Sequence, residues 1–293
     1  MGHRDFVQWG PLFIGDLGNQ AALKDAFKAT APVAVIHFAG LTQVGESVRF
    51  PDRYYDNNIV QTLSLLHVME MFGVKSIVFS SSAAVYGEPS QIPIVEDSPK
   101  QPVNPYGKTK WMVEEILKDY DVAYGVKSLC LRYFNAAGAD PDGQIGEHHS
   151  PETHLIPLIL DAVMGPRQEV TVFGSDYPTP DGTCVRDYVH VTDLAAAHVL
   201  AVRSLLDGGS SGAFNLGVGR GYSVNEIIRS VESVTHKSVP RTMAPRRAGD
   251  TPSLVAEAQL AMDTLGWKPR FSEIATIVDH AWKWHQKRFR EGA

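Results

Sequence analysis

Short apolar runs alternate with longer stretches of helical periodicity through the first half of the chain. Residues 11–16 read as a strand closed by a turn, and 19–30 as a helix. Residues 33–38 give a second strand, ending at Ala39-Gly40, and a long helical stretch at 51–72 precedes the apolar strand 76–79. Pro105 suits a first helical turn, where its missing N–H costs nothing, and the helix predicted there runs past Leu117. Residues 126–133 form another strand. Such alternation implies α/β architecture, a doubly wound parallel sheet covered by helices on both faces.

Past residues 134–138 the texture changes to loops rich in Gly, Pro, Asp and His, up to Pro151. The domain change is placed there, giving a first domain over 1–138 and a smaller α/β domain over 139–293. In the second part, a helix at 154–165 and a strand at 170–173 lead into a Gly/Pro/Asp loop ending at Gly182. Residues 188–191 enter a helix at 192–206, and the stretch 185–206 is expected to pack back on the first domain. A strand at 213–216, a helix at 223–236 and a final helix at 272–289 complete the pattern, with no repeat or low-complexity tract.

With 293 residues, 44% hydrophobic and 20% charged, the composition is that of an ordinary soluble globular protein. A net charge of −6 and a pI near 6.0 speak against nucleic acid as the main partner. Of the two cysteines, Cys130 sits in a strand pattern and reads as a small core hydrophobe, in keeping with a reducing compartment. No apolar run reaches the roughly 20 residues of a membrane helix, and the first residues carry no signal-peptide core. Cytoplasm is the expected location, with no membrane partner.

The most specific chemistry lies at Tyr106 and Lys110, the one place where a lysine follows a tyrosine at the fourth position. On a helix such residues share a face, their Cβ atoms about 5–6 Å apart. An ammonium beside a phenol favours the phenolate, and lowering its pKa from about 10 to about 7 takes roughly 4 kcal/mol. Tyr106 would then serve as a base toward a sugar or alcohol hydroxyl near neutral pH. The strand 76–79 is followed by Ser80-Ser81-Ser82. Groups just beyond the carboxyl end of a parallel strand face the ligand crevice, so Ser82 is placed to hydrogen-bond a reacting oxygen.

Two other motifs read as structural. The run Gly217-Val218-Gly219-Arg220-Gly221 lacks the G-x-G-x-x-G spacing of a dinucleotide loop, and Ser223 with Glu226 makes it a capped helix entry. His148, His149 and His154 lack the ligand spacing of a zinc site and read as solvated loop histidines, so no metal is expected.

The serines, the Tyr-x-x-x-Lys pair and the following strand resemble the extended short-chain dehydrogenase/reductase superfamily and, within it, the family of UDP-glucose 4-epimerases. The resemblance runs from about residue 3 to residue 287 and is densest at 37–41, 44–47, 54–58, 80–87, 131–135, 173–177, 182–191 and 244–250. It implies a Rossmann-like fold with NAD in the first domain and a UDP-sugar in the second. By that resemblance, Tyr106 would take the proton of the sugar 4-hydroxyl, Lys110 would depress the tyrosine pKa and hold the nicotinamide ribose, and Ser82 would hydrogen-bond the hydroxyl. The implied reaction would pass the C4 hydrogen to NAD as hydride, let the 4-keto sugar turn over, and return the hydride on its other face. The resemblance assigns Asp16, Leu17, Phe38, Ala39, Gly40, Leu41, Thr42, Asn57 and Phe134 to the cofactor, beside Ser82, Tyr106 and Lys110. It assigns Asn135, His154, Leu155, Thr171, Phe173, Arg186, Arg247 and Asp250 to the UDP-sugar. The two arginines suit a diphosphate because a guanidinium pairs oxyanions bidentately. Relatives of this kind imply a homodimer formed through helices of the first domain, including the one that bears Tyr106.

The chain departs from the family in three places. The family opens with a strand, a glycine-rich turn, a helix and a second strand ending in an acidic residue, and Gly2-His3-Arg4 already lies past them. Met1 is therefore read as internal to a longer frame or as the start of a shortened product, with weak NAD binding and low stability expected. Thr42 stands where many relatives carry a lysine, and Leu254 occupies a gate position that leaves hexose and N-acetylhexosamine open. Two alternatives go with the reading: an inactive remnant that binds a UDP-sugar or a partner, and a UDP-pentose 4-epimerase. A sugar-nucleotide dehydratase is disfavoured, because Ser82 is flanked by Ser81 and Ala83 instead of a carboxyl pair.

Overall fold

Asn19 opens the first helix by accepting the Ala22 N–H on its side chain, which satisfies one of the donors a helix start leaves over. The computed structural model describes residues 2–247 and 250–291. In chain order the elements are α1 (Gln20–Thr30), β1 (Val35–His37), α2 (Val44–Arg49), α3 (Pro51–Tyr55), a π-helical turn (Asp56–Val60), α4 (Gln61–Met71) and β2 (Ser76–Ser82). Then come α5 (Pro105–Tyr124), β3 (Lys127–Tyr133), β4 (Asn135–Ala137), α6 (Leu155–Met164), β5 (Val170–Phe173), β6 (Val185–His190), α7 (Val191–Leu206) and β7 (Gly212–Leu216). The last are β8 (Gly221–Ser223), α8 (Val224–Thr235), β9 (Arg241–Ala244), β10 (Ser253–Leu254), α9 (Gln259–Leu265) and α10 (Ile274–Glu291).

The chain divides into two units. The first holds the residues up to Ser81, Asn104–Cys130 and Ala201–Gly212. One sheet runs in the order β1-β2-β3-β7, with β1 parallel to β2 and His37 facing Phe79 in register. Buried Ile77, Val78 and Phe79 of β2, with Val113 and Leu117 of α5 and Leu65, Leu66 and Met69 of α4, make the apolar interior of this unit. A parallel sheet with helices packed on it is the Rossmann-like α/β fold expected from the sequence.

The second unit comprises Ser82–Val103, Leu131–Leu200 and the residues from Ala213 onward. Its small sheet follows the order β10-β6-β4, with β8 antiparallel on β6, and β5 pairs with β9 in parallel. The core beneath joins Ile156, Ile159 and Leu160 of α6, Ile227, Ile228 and Val231 of α8, and Ile277, Val278 and Trp282 of α10. Ser223 and Glu226 form the expected capping box, each satisfying the other's backbone N–H.

Several expectations need correction. Residues 11–16 form no strand; Leu12, Phe13 and Ile14 are exposed, and an apolar run extends into a strand only where a neighbour completes its ladder. The stretch 51–72 is helical as expected, α3 running through the π-helical turn into α4, but the turn and the preceding α2 were not foreseen. Ser80 and Ser81 lie within β2 and are buried, so only Ser82 reaches the strand's end. The short strands β4, β8, β9 and β10 and helix α9 were not foreseen.

Candidate active site

Helix α5 starts at Pro105, and Asn104 caps it by accepting the Gly107 N–H at 2.9 Å. The helix thereby presents Tyr106 and Lys110 one turn apart. Lys110 is fully buried: its Nζ donates to the Ser80 carbonyl of β2 at 2.8 Å. It lies 4.8 Å from the Phe79 ring centroid and 5.9 Å from that of Tyr106. Burial pulls the Lys110 pKa down to about 8, against the opposing pull of the Glu114 carboxylate one turn on. Glu114 in turn accepts from the Ser81 hydroxyl at 2.5 Å. His37 at the end of β1 is pushed down to about 4 by burial and by the Lys110 charge, so Lys110 is the cation of this interior at neutral pH.

Asn58 was not anticipated from the sequence. Its Oδ1 accepts the Leu41 N–H at 2.8 Å, and its Nδ2 donates to the Leu41 carbonyl at 3.0 Å and to Thr109 Oγ1 at 3.0 Å. One side chain thus ties the loop after β1 to helix α5. The π-helical turn turns Asn57 and Asn58 out of ordinary helical register, and such turns recur at functional positions. Asn57, named as a cofactor contact, donates to Asn58 Oδ1 at 2.9 Å.

The other expected cofactor residues of the first unit lie at loops. Phe38 is 57% exposed, and Ala39 and Thr42 are exposed beside it. A Cβ on Gly40 would sit 3.3 Å from Asn58 Oδ1 and 3.5 Å from Lys110 Nζ, so the backbone passes close over the buried amine. Asp16 and Leu17 lie in a turn where Asp16 Oδ1 accepts the Gly18 N–H at 2.8 Å. Ser82 ends β2 and accepts the Ala84 N–H at 3.2 Å, starting a short 3-10 turn. Phe134 sits half-buried between β3 and β4.

In the second unit two groups of the expected substrate residues come together. Arg247 makes a bidentate pair with Asp250, at 3.2 and 3.0 Å, and lies 5.5 Å from the centre of the Phe173 ring. Ala248 and Gly249 of the same run lie outside the described residues. Asn135, His154 and Leu155 line one small cavity with Glu147 and Tyr188. Thr171 lies on β5, two residues before Phe173, and Arg186 on β6 donates to the Val185 carbonyl at 2.9 Å. Leu254 of β10 pairs in register with Arg186.

The glycine run before α8 has a physical explanation that its spacing alone did not give. Buried Asp187 accepts the N–H groups of Val218 at 3.0 Å, Gly219 at 3.1 Å and Ala256 at 3.2 Å. The donors a phosphate would use are taken by an internal carboxylate, whose pKa burial raises to about 6. A Cβ on Gly217 would come within 2.6 Å of Asp187 Oδ2, so the close wrap requires glycine there.

The histidines of the loop before α6 are not simply solvated. His149 and His154 pair with Glu147 and Glu152, whose carboxylates push them up to about 9 and about 10.

The model of the NAD dependent epimerase/dehydratase family matches residues 3–217. The chain belongs to that family. A UDP-glucose 4-epimerase of Rhizobium leguminosarum bv. trifolii is 50% identical over 286 residues, 98% of this chain and 87% of the relative. The crystal structure of the Brucella ovis UDP-glucose 4-epimerase in complex with NAD is 50% identical, with a TM-score of 0.94 over 96% of this chain and 86% of that one. The enzyme of that name from Bifidobacterium longum, in complex with NAD+ and UDP, is 42% identical with a TM-score of 0.88, over 93% of this chain and 82% of that one. Among the described residues, no helix of this family member is long and apolar enough to cross a membrane.

Proposed function

We propose that the chain is an isomerase that interconverts UDP-glucose and UDP-galactose by inverting C4 of the sugar, with NAD as resident cofactor. The observation that carries the reading is Lys110, buried in an apolar interior and held one helical turn from Tyr106, in a chain half identical to proteins named for this reaction. Residues 1–138 carry the NAD side and residues 139–293 the UDP-sugar side.

The residues present fit NAD. Phe38 offers an exposed apolar face at the carboxyl end of β1, where parallel sheets bind nucleotides, and Gly40 leaves open the space beside Lys110 that a Cβ would fill. Phe38, Ala39, Gly40, Leu41, Thr42 and Asn57 would hold it, with Asp16 and Leu17 at the adenine and Phe134 as a further contact. When bound, NAD supplies an acceptor for the C4 hydride and gives it back.

The protein's own groups handle the proton and the position. Tyr106 takes the proton from the 4-hydroxyl, the Lys110 ammonium favours the phenolate, and Ser82 hydrogen-bonds the same oxygen. The sugar becomes a 4-keto sugar, turns over, and is protonated back by Tyr106. Arg186 and Arg247 pair the diphosphate, and Asn135, His154, Leu155, Thr171, Phe173 and Asp250 complete the UDP-sugar site.

The protein works in the cytoplasm as a homodimer. In the first unit Val60 and Leu63 near the start of α4 and Met112 on α5 are apolar and exposed, which supports a face that a second copy covers.

The test of the reaction is nuclear magnetic resonance of UDP-galactose incubated with the protein and NAD in heavy water. UDP-glucose should appear with its C4 hydrogen retained, because hydride leaves and returns without meeting solvent. Deuterium at C4, or no conversion, would refute the reading.

A further inference from the structure

Four side chains in the loop between β4 and α6 converge on one point. Glu147, His149, Glu152 and His154 each present a ligand atom, and all four atoms lie within 4.8 Å of one another. Glu147 Oε1 stands 3.1 Å from His149 Nδ1 and 2.6 Å from His154 Nδ1. Glu152 Oε1 stands 3.2 Å from His154 Nδ1, and its Oε2 lies 3.5 Å from His149 Nδ1. The two imidazole centroids are 5.0 Å apart.

Glu152 supplies a second, independent observation. Its side chain is only 9% exposed. Oε1 accepts the backbone N–H groups of Thr153 at 2.7 Å and of His154 at 2.9 Å, which fixes the carboxylate in place. Oε2 is left buried with no hydrogen-bond partner. A buried carboxylate oxygen without a partner costs free energy, and a cation at the centre of the cluster would remove that cost.

The geometry suits a tetrahedral ion. Bonds of about 2.0–2.1 Å put the ligand atoms of a tetrahedral centre roughly 3.3–3.4 Å apart. Between the oxygens Glu147 Oε1 and Glu152 Oε2 and the two Nδ1 atoms, the separations of 3.1 and 3.5 Å are within a few tenths of an ångström of that, and the 2.6 Å between Glu147 and His154 must open. Two imidazole nitrogens with two carboxylate oxygens suit zinc, whereas calcium and magnesium prefer oxygen alone.

We propose that Glu147, His149, Glu152 and His154 bind one zinc ion in a closed, four-ligand structural site that anchors the loop before α6. Glu152 ligates through Oε2, and both histidines through Nδ1. The site does not depend on the epimerase reading, although His154 and Glu147 also line the small cavity beside Asn135 and Leu155.

The experiment is calorimetric titration of the full chain with zinc chloride after dialysis against a chelator, with thermal melts alongside. The wild type should bind one zinc per chain and melt higher with it. His149→Ala and Glu152→Gln should each weaken binding by at least about tenfold, the scale on which the loss of even an outer-shell partner registers. His149 is half-exposed, so its variant keeps the fold should the buried Glu152 change fail to do so. No zinc-dependent heat and no melting shift in the wild type would overturn the proposal and leave a plain histidine–glutamate ion-pair network. Equal zinc binding in wild type and His149→Ala would overturn it too, by placing the ion elsewhere on the surface.

Discussion

Asp187 shows how one buried carboxylate can organise three separate stretches of chain. Its two oxygens collect N–H groups from Val218, Gly219 and Ala256, and Asn135 donates to its backbone carbonyl at 2.9 Å. An asparagine of the same shape would turn an amide N–H toward donors. Asp187→Asn should therefore destabilise by about 1–3 kcal/mol for each orphaned N–H, read by denaturant unfolding; an unchanged unfolding midpoint would rule this out. Gly217→Ala should cost more, because its Cβ would stand 2.3 Å from the Ala256 Cβ as well as against Asp187. The glycines were legible in the sequence as a helix entry, but the carboxylate they wrap lies some thirty residues earlier and leaves no local signal. Tyr106 and Lys110 were legible because helix geometry alone puts them on one face. Asn58 was not, since its role follows from a π-helical turn that breaks the helical period.

Between elements, the contact of α5 with β2 sets the electrostatics of the reaction. Lys110 gives a hydrogen bond to the Ser80 carbonyl, and burial brings its pKa to about 8 against the pull of Glu114. A rate that depends on the ammonium is full below that pH and declines as pH rises through it. Removing the Glu114 charge lowers the Lys110 pKa further, so Glu114→Gln should move the alkaline decline to lower pH. A pH profile of kcat/KM for both proteins checks this, and a wild-type rate that stays flat to about pH 10, near the reference lysine pKa, would contradict it. The long elements were readable from periodicity: α1, α5, α6, α7, α8, α10 and strands β3, β5 and β7 lie where the apolar pattern places them. The two- and three-residue strands β4, β8 and β10 were not, because a strand that short is defined by a distant partner, and β9 is too exposed to show an apolar pattern. Residues 11–16 show the converse, an apolar run without a ladder.

For the whole molecule, the division into two units follows the core. The first gathers around β2 and the second around α6, α8 and α10. The proposed homodimer makes a simple prediction. Light scattering should return twice the 32.1 kDa of one chain. Leu63→Asp combined with Met112→Asp, both at exposed positions, should return one chain mass without lowering the melting temperature of the monomer; an unaltered dimer mass would remove that face from the interface. The proposed chemistry, by contrast, concentrates on a single oxygen. With NAD present, Tyr106→Phe should convert UDP-galactose to UDP-glucose at least about a hundredfold more slowly than wild type, the lower range for loss of a general base, while its thermal melt is unchanged. Turnover at the wild-type rate by that variant would contradict the role given to the tyrosine and, with it, the proposed reaction.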